Sequence, residues 1–295
     1  MIGRLSALCL AIACLAPASL SAQAKQLSVY ASVLDSSGHP ATGLGVSDFK
    51  VREDNVAREV LSVAPATERL SVALLLDNTQ ASSGATQMIR EGAADFIKTL
   101  SGKAEIAVIT FGDRPTILQD YTTDQKRLLD AVGRIFPQPG AGAYFDDAIM
   151  EISKGFEKRA PARPVIAALL VEDPHEFSTR FYQQVLDQLA KSGAALHVLA
   201  IGQPSGSQTD ELRNRNQVLA LGTERTGGRR DQLLASTAIP GALKQLADEL
   251  ANQYVVTYAR PETLIPPEKV QVTVTRPGLT VRARTQAPPA PAPAK

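Results

Sequence analysis

Leu70-Ser71-Val72-Ala73-Leu74-Leu75-Leu76-Asp77-Asn78-Thr79-Gln80-Ala81-Ser82-Ser83-Gly84 is the stretch on which the fold turns. Its first half is a short, almost continuous apolar run, the pattern of a strand buried on both faces of a parallel sheet. An acid closes the run, and a loop rich in hydroxyls and ending in Gly follows. Beyond it, Ile89, Ala93, Phe96, Ile97 and Leu100 recur at helical spacing. Strand, polar loop and helix form one unit, and the unit repeats. Ile106 to Phe111, Val165 to Val171 and Ala194 to Ile201 are further apolar runs. Helical patterns at Leu128, Leu129, Val132 and Ile135, at Ile149, Ile152 and Phe156, and at Val185, Leu186 and Leu189 lie between them. Leu243, Leu246, Ala247 and Leu250 mark a last helix. This alternation predicts a doubly wound α/β unit with a mainly parallel sheet over residues 66–252.

The flanks have a different texture. Leu27, Val29, Ala31 and Val33 alternate with polar residues, and Phe49-Lys50-Val51-Arg52 resumes the alternation after a turn cluster at Asp35 to Pro40. Val270 to Thr275 and Leu279 to Arg284 alternate in the same way at the far end. Period two marks antiparallel strands with one wet face. Neither flank is long enough to stand alone. Residues 25–65 and 253–285 are therefore expected to pair into one small β-sandwich, with the α/β unit inserted between its halves. Gln286 to Lys295, rich in Ala and Pro, reads as a disordered tail.

Arg4 is the single charge before Lys25, and Leu5 to Ala16 is apolar or small throughout. That run is shorter than the ~18–20 residues of a bilayer-spanning helix and reads as an export signal. Ala22-Gln23-Ala24 places the expected cut after Ala24, and Ala11-Ile12-Ala13-Cys14 lacks the Leu usual in a lipid-anchored signal. Both cysteines, Cys9 and Cys14, leave with residues 1–24, so the mature chain is expected to have no thiol and no transmembrane segment, in the periplasm, the cell envelope or the medium. Across the 295 residues, 31 Lys and Arg face 30 Asp and Glu, with no basic run to neutralise a phosphate backbone. Nucleic acid is excluded as an expected partner.

Open α/β sheets bind ligands beyond the carboxyl ends of their strands. Three loops fall there: Asp77 to Gly84, Gly140 to Ile149, and Glu172-Asp173-Pro174-His175-Glu176. With these loops, several stretches occur in the order of the von Willebrand factor type A domain, and the chain resembles a secreted bacterial variant of it. They are Gly38-His39-Pro40 through Asp48 to Asp54, Ser71 to Asp77, Val108 to Phe111, Tyr144 to Ile149, Thr226-Gly227-Gly228 and Gln253 to Tyr258. The resemblance implies a metal-ion-dependent adhesion site at the ligand end, written Asp-x-Ser-x-Ser with a Thr and an Asp from two further loops. Mg2+ would sit among oxygen ligands there and keep one position for an acidic side chain of a protein partner. Asp77, Thr79 and Asp173 match that set, whereas Ala81 stands at the second Ser and Ala143 at the Thr. A weakened metal site is the expectation, with Ser82 or Ser83 as substitutes if the loop shifts register.

Other readings of these residues are plain ones. His197 lies within an apolar run and reads as a sheet histidine, and Asp146-Asp147 read as first-turn helix acids. Gly140-x-Gly142 lacks the third Gly of a phosphate loop. The functional expectation is an exported, non-enzymatic adhesion or protein-binding module acting through the ligand-end loops, with at most weak divalent-metal assistance. A scaffold binding through the β-sandwich or tail is the alternative. A hydrolase built on Asp173, His175 and Glu176 is a second, remoter one.

Overall fold

The computed structural model describes residues 24–286 apart from 174, 205, 207, 208 and 263. Residues 1–23 of the expected export signal and residues 287–295 of the expected tail lie outside the described residues. In chain order the strands and helices are β1 (Ala24–Leu34), β2 (Phe49–Glu53), β3 (Val56–Arg58), β4 (Val60–Pro65), β5 (Leu70–Leu76), α1 (Thr86–Thr99), β6 (Ala104–Thr110), β7 (Thr116–Thr122), α2 (Gln125–Gly133) and α3 (Phe145–Arg159). There follow β8 (Arg163–Val171), α4 (Tyr182–Ser192), β9 (Ala195–Ile201), α5 (Asp210–Gln217), α6 (Thr223–Thr226), β10 (Arg230–Leu233), α7 (Ile239–Ala251), β11 (Tyr254–Pro261), β12 (Val270–Val274) and β13 (Thr280–Ala283). Among the described residues no helix is long and apolar enough to cross a membrane.

The central sheet has the order β10-β9-β8-β5-β6-β7, parallel throughout except that β7 runs against β6. β5 at its centre is buried at every position. Successive side chains of a strand point to opposite faces, so β5 serves two cores. Val72, Leu74 and Leu76 join Ile89 and Phe96 of α1 and Leu243 and Leu246 of α7. Ala73 and Leu75 join Phe145, Ile149 and Phe156 of α3 on the other side. The apolar runs of the sequence are these strands. β7 and β10, which no apolar run announces, are the sheet's edges: Ile117 of β7 is exposed, and β10 reads Arg-Asp-Gln-Leu. An edge strand is buried on fewer sides and carries a weaker pattern.

The two chain ends do pair. One antiparallel sheet has the order β13-β1-β11-β4 and a second the order β12-β2-β3. β1 runs along β11 from Ala24 opposite Pro261 to Ala31 opposite Tyr254, and β2 pairs with β12 from Phe49 opposite Val274 to Glu53 opposite Val270. Ala31, Val33, Phe49, Val51, Tyr254, Val256 and Val272 form one apolar cluster between the two sheets, which makes them a sandwich. Within it Glu53 is buried, accepting from the Tyr258 hydroxyl at 3.1 Å and from Arg58 Nε at 2.8 Å. Arg260 Nε lies 3.1 Å from the same carboxylate. Gln286, placed by its composition in the tail, instead bridges to Lys269 and donates its amide to the Arg225 carbonyl.

Thr226-Gly227-Gly228 has a packing explanation. The Thr226 hydroxyl donates to the Gly222 carbonyl at 2.7 Å and accepts from the Leu196 amide at 2.9 Å, pinning α6 to the start of β9. Gly227 follows with φ +74°, and a Cβ on Gly228 would stand 1.8 Å from the Leu196 carbonyl oxygen. Backbone, not a movable side chain, blocks that space. Gly228→Ala is expected to cost about 2 kcal/mol as overpacking, seen as a lower urea midpoint; a wild-type midpoint would mean that β9 yields without cost.

Candidate functional site

From β5 the chain proceeds to β6 on one side, whereas β8 lies on the other, so the sheet order reverses beyond the carboxyl ends of β5 and β8. Such a switch point opens a crevice. Asp77 follows β5 there, and Glu172 and Asp173 follow β8. Asp77 is 1% exposed. Its Oδ1 accepts from the Thr79 amide at 2.8 Å and the Thr79 hydroxyl at 2.7 Å, and its Oδ2 accepts from the Val171 amide at 2.8 Å. Burial raises its pKa above the usual carboxylate value, the three hydrogen bonds work against that, and the charge of Asp173 adds to the rise. Asp77 and Thr79 are thus in direct contact, with Asp173 in electrostatic reach. Asp77 does not cap α1; it ties the loop to the neighbouring strand.

The donor set does not suit a resident Mg2+. Both oxygens of Asp77 already accept protein hydrogen bonds, and the Thr79 hydroxyl is turned onto Asp77. Asp173 Oδ1 accepts from the His175 amide at 2.8 Å and lies 2.5 Å from His175 Nδ1. Ser82 and Ser83 do not replace the hydroxyls lost at Ala81 and Ala143, because their Oγ atoms donate to the Thr79 and Gln80 carbonyls at 2.8 and 2.7 Å inside their own turn. Among the described residues no group of three or more His, Cys, Asp or Glu could hold a metal. A hard cation that wants six oxygen ligands finds few free ones here.

The loops around this corner are joined by backbone hydrogen bonds. Ala143 bridges to Gly112 on one side and to Glu176 on the other. The Ala143 amide donates to the His175 carbonyl and the Phe177 amide to the Ala143 carbonyl, each at 2.8 Å. Asn78 Oδ1 accepts from the Gly112 amide at 2.8 Å, and the Asn78 carbonyl from the Gln138 amide at 2.9 Å. Gly142 leaves room for an aromatic ring: a Cβ there would meet the Phe177 ring at 2.2 Å. Phe177 is 45% exposed and packs against Tyr144 and His175, with ring centroids 5.9 and 6.4 Å away. The alanine at the position of the lost Thr therefore lies beneath an exposed aromatic ridge that sequence spacing did not single out.

Beneath the ridge lies a buried charge cluster that no spacing of residues announces. Arg215 of α5 donates from Nη2 to Glu172 Oε2 at 2.6 Å, with both side chains out of solvent. Glu176 points inward; its Oε1 accepts from the Phe145 and Ser178 amides at 3.1 and 3.2 Å. Asp146 is fully buried, and neither of its oxygens has a partner. Burial pushes the Glu176 pKa up to about 7, and burial together with the Glu176 charge raises that of Asp146 well above the usual range. Its neighbour Asp147 is the ordinary helix-start acid, paired with Arg180 at 2.7 Å. Adjacent acids at one helix start thus have opposite fates, and only packing distinguishes them.

Asp173, His175 and Glu176 do not converge on one reacting centre. His175 lies exposed against Asp173, whereas Glu176 is turned into the interior by its two amide donors. His197 is a buried sheet residue whose Nδ1 accepts from the Arg229 amide at 3.2 Å, and burial lowers its pKa to about 4.

Residues 72–171 match the family model of the von Willebrand factor type A domain. No curated protein matches the sequence. Among solved structures, a von Willebrand factor type A protein from Catenulispora acidiphila is similar at 13% identity and TM-score 0.51, over 84% of this chain and 75% of that one. Proximal thread matrix protein 1 from the mussel byssus is similar at 12% identity and TM-score 0.48, over 64% of this chain and 50% of that one. The vWF domain of the type V pili tip protein from Porphyromonas gingivalis is similar at 10% identity and TM-score 0.47, over 63% of this chain and 96% of that one.

Proposed function

Starting from a chain that carries a von Willebrand factor type A domain, we propose that it is an exported, non-enzymatic module that captures a protein partner with the loops at the carboxyl edge of the sheet. The observation that carries this reading is the ridge of Tyr144, His175 and Phe177. Aromatic side chains standing on rigid backbone are the usual anchors of protein interfaces, since they offer large contact area with little rotamer entropy to lose. The ridge sits at the switch point, on loops that hydrogen-bond to one another, so it meets a partner already organised. Asp77, Thr79 and Asp173, the residues matching the family's metal ligands, act in this reading as struts for the loops, and a divalent cation contributes at most weakly. The sandwich built from residues 25–65 and 253–285 carries the α/β unit of residues 66–252, and export places the mature chain in the periplasm, cell envelope or medium.

Crosslinking and pull-down of the full chain in its native envelope tests the proposal. Phe177→Ala, at a half-exposed position, is expected to weaken capture of the identified partner about tenfold, the loss of one interface anchor. EDTA is expected to leave capture unchanged. Undiminished capture by the Phe177→Ala and Tyr144→Ala variants would move the contact surface to the sandwich or the tail, and loss of capture in EDTA would restore a metal-bridged mechanism.

A further inference from the structure

At the opposite end of the sheet from the aromatic ridge, a cavity of about 250 Å3 opens where β1 meets the starts of β8 and β9. Its origin is topological. β13 pairs with β1 only over Ala31 to Leu34, so the same edge of Leu27 to Tyr30 has no ladder partner among the described residues. After Ala283 the chain swings away, with the Thr285 and Gln286 amides both donating to the Arg225 carbonyl. The space left beside β1 is lined mainly by apolar groups, among them Leu27, Val29, Pro164 and Val270.

Two guanidinium groups also line it, Arg163 and Arg284. Arg284 Nη2 donates to the Gly193 and Ala194 carbonyls at 2.7 and 3.1 Å. Burial alone acts on its charge, holding its pKa down to about 10, with no carboxylate opposing the effect. Arg163 is 6% exposed and donates to the Glu68 and Leu250 carbonyls and to Gln253 Oε1. Its Nε is buried and has no partner. The acid that acts on it through space, Glu68, is exposed and bonded to Tyr30. Buried cations are ordinarily paired with carboxylates, because desolvation without a counter-charge is costly. Here buried Arg163 and half-buried Arg284 border an apolar cavity. Arg284 donates only to carbonyls, and Arg163, over the Tyr30 ring at 5.0 Å, feels a carboxylate only through space, from exposed Glu68.

We propose that this cavity binds a small organic carboxylate with a compact apolar body. The carboxylate would supply a counter-charge in direct contact, for which the planar guanidinium is the matching donor. The apolar walls would take the body, and a volume slightly below that of drug-sized sites limits it to a short chain or a single ring. The site is distinct from the aromatic ridge, so partner capture and carboxylate binding fail independently.

Calorimetric titration of the full-length protein with 4-phenylbutyrate, and in parallel with its neutral amide, decides the matter. The expected result is binding of the carboxylate at or below about millimolar Kd, at least tenfold tighter than the amide. Arg284→Gln removes the charge, and Ala162→Trp obstructs the mouth from an exposed position that the fold does not rely on. Both are expected to weaken binding at least tenfold, and the Ala162→Trp result stands even if Arg284→Gln loosens the fold. No heat from 4-phenylbutyrate, equal binding of the amide, or undiminished binding by a folded Ala162→Trp protein would each overturn the proposal.

Discussion

Replacing Arg215 with Met is expected to lower the unfolding free energy by about 3–5 kcal/mol, the penalty for breaking a buried ion pair from one side. Arg215 is 2% exposed and the Glu172 side chain is out of solvent altogether, with 2.6 Å between Nη2 and Oε2. Without the guanidinium, Glu172 would keep a charge with no counter-ion. The same cation also moderates the pKa values of Asp146 and Glu176, so its loss is felt by three buried carboxylates. Met fills similar space, so a cavity is not the main cost. The double variant Arg215→Met with Glu172→Met is expected to regain most of the loss, because removing both members of a buried pair removes the desolvation penalty too. Urea unfolding of the two variants at neutral pH checks this. A single variant within about 1 kcal/mol of wild type would show that water reaches Glu172 and screens it.

The ionic cluster marks the limit of what the chain discloses in one dimension. Strands β5, β8 and β9 are legible because burial on both faces requires continuous apolar residues, and α1, α3, α4 and α7 because one face must be apolar every third or fourth residue. The sandwich is legible at both ends from strict alternation. α5 is not, since Asp210 to Gln217 is polar around most of its surface and buries only Leu212 and Arg215. Arg215 and Glu172 are separated by 43 residues, and no spacing rule links them. The ligand end divides similarly. Asp77, Thr79 and Asp173 stand out as an acid-and-hydroxyl pattern after buried strands. Whether Ser82 and Ser83 are free to act depends on a local turn that draws their hydroxyls back to the backbone. The aromatic ridge was hidden for a third reason: Tyr144 and Phe177 lie on different loops, brought together by the bridges through Ala143.

Glu176→Gln is expected to reduce a fall in stability with rising pH that the wild-type protein shows between about pH 4.5 and 7. The carboxyl has its usual pKa of 4.5 when exposed, and burial pushes it to about 7 in the folded chain. Between those values the folded state holds a proton that the unfolded state has released. The unfolded state binds fewer protons there, so unfolding free energy decreases as pH rises. Below pH 4.5 both states are protonated and no penalty exists; above pH 7 both are ionised and the penalty is complete. Its size follows from the gap between the two pKa values, about 3 kcal/mol. Asp146 shifts in the same direction and adds to the slope. Gln keeps an oxygen for the Phe145 and Ser178 amides, so the variant retains the contacts that position the loop while losing the titration. Unfolding free energies at pH 4.5 and pH 8 should therefore differ by about 3 kcal/mol less in the variant than in wild type. Equal differences would mean that Glu176 is already ionised in the folded protein at acid pH. Because Glu176 anchors the segment that carries His175 and Phe177, the same ionisation should raise amide exchange over residues 175–178 above pH 7 in wild type but not in the variant, coupling the order of the aromatic ridge to the protonation of the carboxyl beneath it.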